Sequence, residues 1–279
     1  MIVRCWGARG SIPVSGEEYL RYGGDTTAVE IRSRDNDIIL IDAGSGIRRL
    51  GNQLVTEGSS RYFMIFTHVH WDHLMGFPFF KPLYLKKTDI SIFGCSFTGD
   101  PFHRTLKGIM KSPYFPVRFS DLSANITFQE ICDRPFSIGP VTVTPIPLSH
   151  PNQGLGFRFE EEGRRFVFLT DNELSYGHPG ARSFDAYREF SRDADLLIHD
   201  AEFTEEEYEK TRTWGHSTYQ DALRLALAAG VRRLGLFHHN QDRTDDALDD
   251  IIKNCRRIVE DRGAVMDCFA LSQTTEIRL

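Results

Sequence analysis

The chain has 279 residues, 41% of them apolar and 26% charged, with a formal net charge of −6. That size and balance suit one large domain or two small ones with a sizeable core. The negative charge disfavours a protein that wraps long nucleic acid by neutralising phosphates, and no apolar run approaches the roughly 18 to 20 residues of a membrane span.

Residues 1–16, MIVRCWGARGSIPVSG, carry an early arginine and no apolar h-region, so no signal peptide is expected and the expected address is the cytoplasm. Short β-rich runs then recur: IVRCW, TAVEIRS, DIILIDA, YFMIFTH, ISIFG, ITFQEI, VTVTPIPL, GFRFEE, RFVFLTD, LLIHD, RLGLFHH and CFALSQTTEIRL. Some alternate and some are continuously apolar, as sheets with one inner face and one helix-covered face require. Residues 81–118 hold Lys81, Lys86, Lys87, Arg104, Lys107, Lys111 and Arg118 against only Asp89 and Asp100. This stretch follows the histidine-rich loop, so the segment 79–120 reads as a basic insertion that could cap a substrate and hold a phosphate.

Helices are more frequent toward the C-terminus. Residues 217–229, STYQDALRLALAA, open with Ser217 and carry Gln220 three positions on, a capping-box pattern, and Gly230 is the stop. Residues 244–262 place Leu248, Ile251, Ile252, Cys255, Ile258 and Val259 on one stripe, which predicts a helix packed on a sheet. No repeat or linker interrupts the pattern, so residues 1–279 read as a single α/β layered sandwich, two stacked sheets with helices outside. The five cysteines (Cys5, Cys95, Cys132, Cys255, Cys268) are scattered and never form a C-x-x-C pair. They are expected to be reduced core residues, neither a disulfide framework nor a thiolate metal site.

The chemistry concentrates in FTHVHWDHLMGFP, where His68, His70, Asp72 and His73 fall within six positions at the end of an apolar strand. Positions i and i+2 of an extended segment point the same way, so His68 and His70 can reach one ion. Asp72 and His73 follow a turn at Trp71 and are better placed for a second ion beside the first. Imidazole and carboxylate without sulfur suit zinc, iron or manganese. A pair of ions about 3.5 to 4 Å apart needs further ligands, a bridging carboxylate among them. Strand ends supply the candidates: His150 in LSHP, Asp171 in LTDN, and His238 or His239 in LFHH. Asp42 in LIDAGSG could support a ligand histidine or cap the helix after it, and Asp25 in GGDTT is a weaker candidate. His103, His178, Phe79 and Phe80 read as surface or packing residues.

With these motifs in order, the sequence resembles the metallo-β-lactamase superfamily, an αββα sandwich of two stacked mixed sheets with helices outside. The resemblance runs from CWGARGSIPVSG and RYGGDTTAVEI through THVHWDH, LSHP, LTDN, LIHDAEFTEEE, GHST and LFHH. It implies that His68, His70 and His150 hold one ion, Asp72, His73 and His238 a second, and Asp171 bridges them. His238 is preferred to His239 as the histidine at the strand end. The closest likeness is to the phosphodiesterase branch, ribonuclease Z and the phosphoribosyl cyclic phosphodiesterases. There the HST segment (His216, Ser217, Thr218) and the acid of HDAEF (Asp200) imply a proton-handling pair near the leaving group.

The resemblance thus implies a hydrolase with two divalent ions, zinc first and manganese or iron as alternatives. A hydroxide shared by the ions would attack phosphorus, with Asp72 serving as both ligand and orienter and His216, held by Asp200, as proton donor. Only 20 residues separate His150 from Asp171, too few for the arm with which some ribonuclease Z enzymes grip tRNA. The expected substrate is therefore a small or cyclic-nucleotide-like phosphodiester, with long nucleic acid disfavoured and no membrane involved. A tRNA 3′-processing ribonuclease, or a thioester or lactone hydrolase on the same fold, is the alternative. The sequence leaves the oligomeric state open, a homodimer included.

Overall fold

The computed structural model describes residues 1–97 and 101–279. The strands run β1 (Ile2–Gly7), β2 (Ala28–Arg32), β3 (Ile38–Ile41), β4 (Arg61–Ile65), β5 (Asp89–Gly94), β6 (Asn125–Glu130), β7 (Phe136–Ile138), β8 (Val141–Pro147), β9 (Leu155–Glu161), β10 (Arg164–Leu169), β11 (Leu196–Asp200), β12 (Arg233–Phe237), β13 (Asp267–Ala270) and β14 (Glu276–Arg278). They form two seven-stranded mixed sheets, ordered β14-β1-β2-β3-β4-β5-β6 and β13-β12-β11-β10-β9-β8-β7. In each sheet one half is antiparallel and the other, β3 to β6 or β10 to β13, is parallel.

Alternation along the strands divides the apolar side chains into three layers. Val3, Ile31, Ile39, Ile65 and Phe93 of the first sheet meet Val143, Phe157, Phe166, Ile198 and Phe237 of the second, forming the core between the sheets. The opposite face of the second sheet is covered by α4 (Phe184–Phe190), α6 (Tyr219–Ala228) and α7 (Asp245–Asp261). Leu248, Ile251, Ile252, Cys255 and Val259 line the buried side of α7, and Thr244 caps it by accepting from Ala247 N. Burying one such aliphatic side chain contributes about 1.5–3 kcal/mol. Helix α1 (Ile47–Thr56) and α3 (Phe102–Ile109) cover the outer face of the first sheet. The αββα order expected from the pattern is the order found.

Several local expectations are corrected. Helix α6 is capped by Thr218, whose side chain accepts from Asp221 N, and not by Ser217. Ser217 Oγ instead donates to Asn172 O and accepts from Leu174 N, tying the helix entrance to the loop after β10. CFALSQTTEIRL is two strands in different sheets, β13 and β14. Its polar centre turns where Ser272 N donates to Thr275 Oγ1 and Thr275 N to Ser272 O. Strand β7, which no run announced, pairs with β8 through a hairpin at Gly139, where φ is 52°.

Cys95 and Cys132 form a disulfide, contrary to the expectation of five reduced cysteines. They lie just beyond the ends of the neighbouring strands β5 and β6, which pair up to Gly94 and Glu130. Their separation of 37 residues gave no spacing signal. Cys5, Cys255 and Cys268 are free and buried. Disulfides are rare in the cytoplasm, so this pair sits poorly with the address expected from the N-terminal residues. Among the described residues, no helix is long and apolar enough to cross a membrane. The segment 79–120, whose residues 98–100 lie outside the described ones, sends Phe80, Leu83, Phe102, Leu106 and Met110 into the outer layer of the first sheet.

Candidate metal centre

Every candidate ligand or supporting acid sits at the end of a strand or in the loop that follows it. Asp42 follows β3, the His68–His73 loop follows β4, and His150 follows β8. Asp171 follows β10, Asp200 closes β11, and His238 follows β12. Asp42, Asp171 and His238 have φ of 59°, 52° and 56°, a left-handed conformation uncommon for residues other than glycine. Left-handed backbone at these three positions turns the chain sharply at the strand ends that carry them.

His70 is extended and enters α2 (Trp71–Leu74), the single turn that redirects Asp72 and His73. One ligand atom each from His68, His70, His150 and Asp171 lie within 4.8 Å of one another, and so do those of Asp72, His73 and His238. The Asp171 carboxylate faces both groups. Its Oδ2 is 3.6 Å from His68 Nε2, 3.7 Å from His150 Nε2 and 3.4 Å from His238 Nε2, and its Oδ1 is 3.3 Å from His73 Nε2.

The surrounding hydrogen bonds fix which nitrogen each ring presents. His150 Nδ1 donates to Gly215 O at 2.9 Å, and His238 Nδ1 to Glu202 Oε2 at 2.9 Å. His73 Nδ1 donates to Asp42 Oδ2 at 2.8 Å. Thr67 Oγ1 donates to Asp42 Oδ2 and can therefore accept from His68 Nδ1 at 3.0 Å. With the outer nitrogen donating, the lone pair of each Nε2 points inward, as metal ligation by a neutral imidazole requires. His68 Nε2 and His73 Nε2 are buried without a hydrogen-bond partner, an arrangement that costs about 1–3 kcal/mol per group unless something else satisfies it. His70 Nδ1 lies 2.9 Å from His150 Nε2, close to the roughly 3.3 Å between two nitrogens bound at about 2.0–2.1 Å to one tetrahedral ion.

Electrostatics agree with the donor set. Burial pushes His150 down to about 3 and His68 well below its usual value, so both are neutral. Burial alone would raise Asp72 and Asp171, but the neighbouring imidazoles hold both carboxylates well below their usual range. His73 and His238 are pushed well up because Asp171 and the nearby carboxylates outweigh their burial. That half of the cluster attracts positive charge, which divalent cations would supply. The cluster fits two such ions.

His216 borders the same cluster. Its Nδ1 is 2.7 Å from Asp200 Oδ2 and 3.4 Å from Glu202 Oε2, and its ring stacks on His238 at 4.6 Å. It is pushed up to about 9, burial opposing and the charges of Glu202 and Asp200 prevailing. His216 and Glu202 lie against a cavity of about 800 Å³ lined also by Ser11, Phe203, Trp214 and, from α5 (Glu205–Thr211), Lys210.

The other sequence candidates separate clearly. Asp42 accepts from Thr67 N, Thr67 Oγ1 and His73 Nδ1, so it supports a ligand loop and does not cap α1, whose N-cap is Gly46. Asp25 binds Ser45 Oγ and Arg49 Nε, away from the cluster. His239 turns aside and donates from Nε2 to Leu271 O. Phe80 is buried and Phe79 exposed, and His103 packs near Phe128.

Glu202 was missed, although it stands in HDAEF two residues beyond Asp200, the spacing that returns a side chain to the same side of an extended segment. Glu173 was missed as well. It is buried, and four donors converge on it: Tyr208 OH at 2.6 Å, Thr213 N at 2.8 Å, Gly215 N at 2.8 Å and His178 Nε2 at 2.7 Å. His178, half-buried, thus packs beside the site with a partner of its own. Through Gly215, whose carbonyl orients His150, Glu173 supports a candidate ligand. Glu173→Gln, with one acceptor oxygen in place of two, is expected to weaken binding at the His68, His70 and His150 group by about 10- to 100-fold. Cobalt titration followed by visible absorption reads this, and unchanged affinity for both ions would refute it.

Fold and donor set together define a metal-dependent hydrolase built as an αββα sandwich. The chain belongs to the beta-lactamase superfamily, whose domain model matches residues 37–239. It is 24% identical to the ribonuclease Z of Haloarcula marismortui, the alignment covering 85% of this chain and 86% of that protein. Among solved structures it is similar to the metallo-beta-lactamase fold protein YhfI from Bacillus subtilis, with a TM-score of 0.72, 18% identity and coverage of 99% and 98%. It is also similar to a diphosphatase from the PhnP family, with a TM-score of 0.70, 17% identity and coverage of 100% and 97%. The likeness to the ribonuclease Z and PhnP branch extends over nearly the whole chain.

Proposed function

We propose that the protein is a phosphodiesterase that uses two divalent ions, zinc the expected pair, on a small or cyclic phosphodiester. His68, His70 and His150 would hold one ion, Asp72, His73 and His238 the other, with Asp171 between them. When bound, the ions supply a nucleophile at neutral pH and neutralise charge on the phosphate oxygens. The observation that carries the reading is the His216–Asp200 pair, 2.7 Å apart beside the cluster. Bonded through Nδ1, His216 keeps Nε2 for the leaving oxygen, and its raised basicity keeps a proton there at neutral pH. Asp72 accepts from Ser11 N at 3.0 Å, which favours its use as an orienting group as well as a ligand.

The small substrate is supported by the chain between His150 and Asp171, which forms only the β9–β10 hairpin turning at Glu162 and Gly163. The printed name of the Haloarcula relative keeps ribonuclease Z as the second reading. The two sheets, each continuous across the described chain, favour one domain over 1–279. The segment 79–120 places apolar residues in the outer layer of the first sheet and leaves Lys81, Lys86, Lys87, Arg104, Lys107, Lys111 and Arg118 exposed, which supports this basic surface as a place to hold a phosphate.

The test is turnover of bis(p-nitrophenyl) phosphate by protein loaded with zinc or manganese, beside Asp72→Ala. The expected outcome is hydrolysis by the native chain and a loss of at least about 10²-fold in the variant. Cleavage of a thioester or lactone, with no turnover of the phosphodiester by fully loaded protein, would overturn the assignment. Faster cleavage of a tRNA precursor than of any small diester would favour the second reading.

A further inference from the structure

Trp214 is 62% exposed, and its indole lines the 800 Å³ cavity against which His216 and Glu202 lie. A large aromatic surface open to water is unfavourable, and a flexible loop could relieve it by turning the ring inward. This turn is held. The residues on either side of the tryptophan, Thr213 and Gly215, each donate a backbone N–H to the buried carboxylate of Glu173 at 2.8 Å. They do so with φ of 77° and 97°. At Gly215 a Cβ would stand 2.1 Å from His150 Nδ1, so no other residue fits where its carbonyl meets that ring. Trp214 N adds a bond to Thr211 O at 3.0 Å. The backbone that carries the indole is therefore held in place two residues before the candidate proton donor, and the ring stands on the wall of the cavity that opens beside it.

The same wall carries Glu206 and Asp242, both exposed, against the single lysine Lys210, while Glu207 is paired with Arg243. Such a wall accepts a flat, uncharged ring and repels additional phosphates.

We propose that Trp214 is the platform on which a nucleobase stacks, so that the substrate is a nucleoside phosphodiester with a single phosphate. The proposal rests on the phosphodiesterase reading above. For a nucleoside 2′,3′-cyclic phosphate the elements of one water are added. A water oxygen bonds to phosphorus, one P–O bond to ribose breaks, and the departing ribose oxygen takes the proton carried by His216, which a proton of the water replaces.

The experiment compares ring opening of adenosine 2′,3′-cyclic phosphate with that of methyl riboside 2′,3′-cyclic phosphate, which differs by replacing the base with a methoxy group. Both reactions are followed by anion-exchange chromatography with metal-loaded native protein, Trp214→Ala and Trp214→Phe. Stacking a base on an aromatic side chain corresponds to roughly 5- to 150-fold in affinity. The native chain should prefer the adenosine substrate in kcat/KM by a factor in that range, expressed in KM. The preference should fall toward unity in Trp214→Ala and persist in Trp214→Phe, with two metal ions retained by each. A native chain indifferent to the base, or a preference that survives in Trp214→Ala, would overturn the proposal.

Failure of the phosphodiesterase reading looks different, because neither cyclic phosphate would then open. In that case quenching of tryptophan fluorescence by adenosine 5′-monophosphate decides. Quenching that is lost in Trp214→Phe supports the platform, and its absence in the native chain removes it.

Discussion

Replacing Asp171 with alanine should reduce the bound metal from two ions per chain to fewer than one and lower turnover by at least about 10²-fold. The reason is geometric. Asp171 is the carboxylate whose two oxygens face nitrogens of both ligand groups, at 3.3 to 3.7 Å from His68, His73, His150 and His238. Removing it takes one donor from each group and a negative charge from a buried cluster of imidazoles. Loss of a single group that stabilises reacting charge is typically worth about 10²–10³-fold, and here the metals go with it. His68→Ala should spare the ion proposed for Asp72, His73 and His238, so the two variants should differ in stoichiometry as well as in rate. Elemental analysis of dialysed protein is the measurement. Two ions retained by Asp171→Ala would show that the carboxylate does not bridge.

His216→Ala should leave both ions bound and lower the opening of a cyclic phosphate by about 10²- to 10⁴-fold, the usual span of general acid catalysis. A ligand atom of His216 also lies within 4.8 Å of those of Asp171 and His238, so metal content decides between proton donor and ligand. The leaving group offers a second discrimination. An alkoxide needs a proton to depart, whereas p-nitrophenoxide is a stable anion. The loss should therefore be large for the cyclic phosphate and small for bis(p-nitrophenyl) phosphate. Asp200→Asn should reproduce most of the effect, because a neutral amide no longer supplies the negative charge that, with Glu202, raises His216 and keeps it protonated at neutral pH. Equal losses on both substrates, or a missing ion, would remove His216 from the acid role.

Much of this site is legible in the chain because its ligand types cluster where strands end. His68, His70, Asp72 and His73 declare themselves by density, and His150, Asp171 and the pair His238 and His239 by following apolar runs, the family resemblance preferring His238. Glu173, Glu202 and Thr67 gave no comparable signal, since single polar residues beside a strand end are commonplace. Glu173 acquires its role from Tyr208, Thr213 and Gly215, some 35 to 42 residues away in sequence. The Cys95–Cys132 pair was hidden for the same reason: only the pairing of β5 with β6 brings the two residues together.

The sequence by itself determined the layers and pointed to the residue types of the donor set, because period-two apolar runs and ligand chemistry are local properties of neighbouring residues. Tertiary structure alone decided how those residues combine. It split CFALSQTTEIRL between two sheets, moved the cap of α6 from Ser217 to Thr218, and turned His239 toward Leu271 O while its neighbour His238 joined the cluster. Each outcome depends on which buried hydrogen-bonding group finds a partner across the fold. That is settled by contacts distant in sequence, since an unpaired polar group in the interior costs more than any local preference supplies.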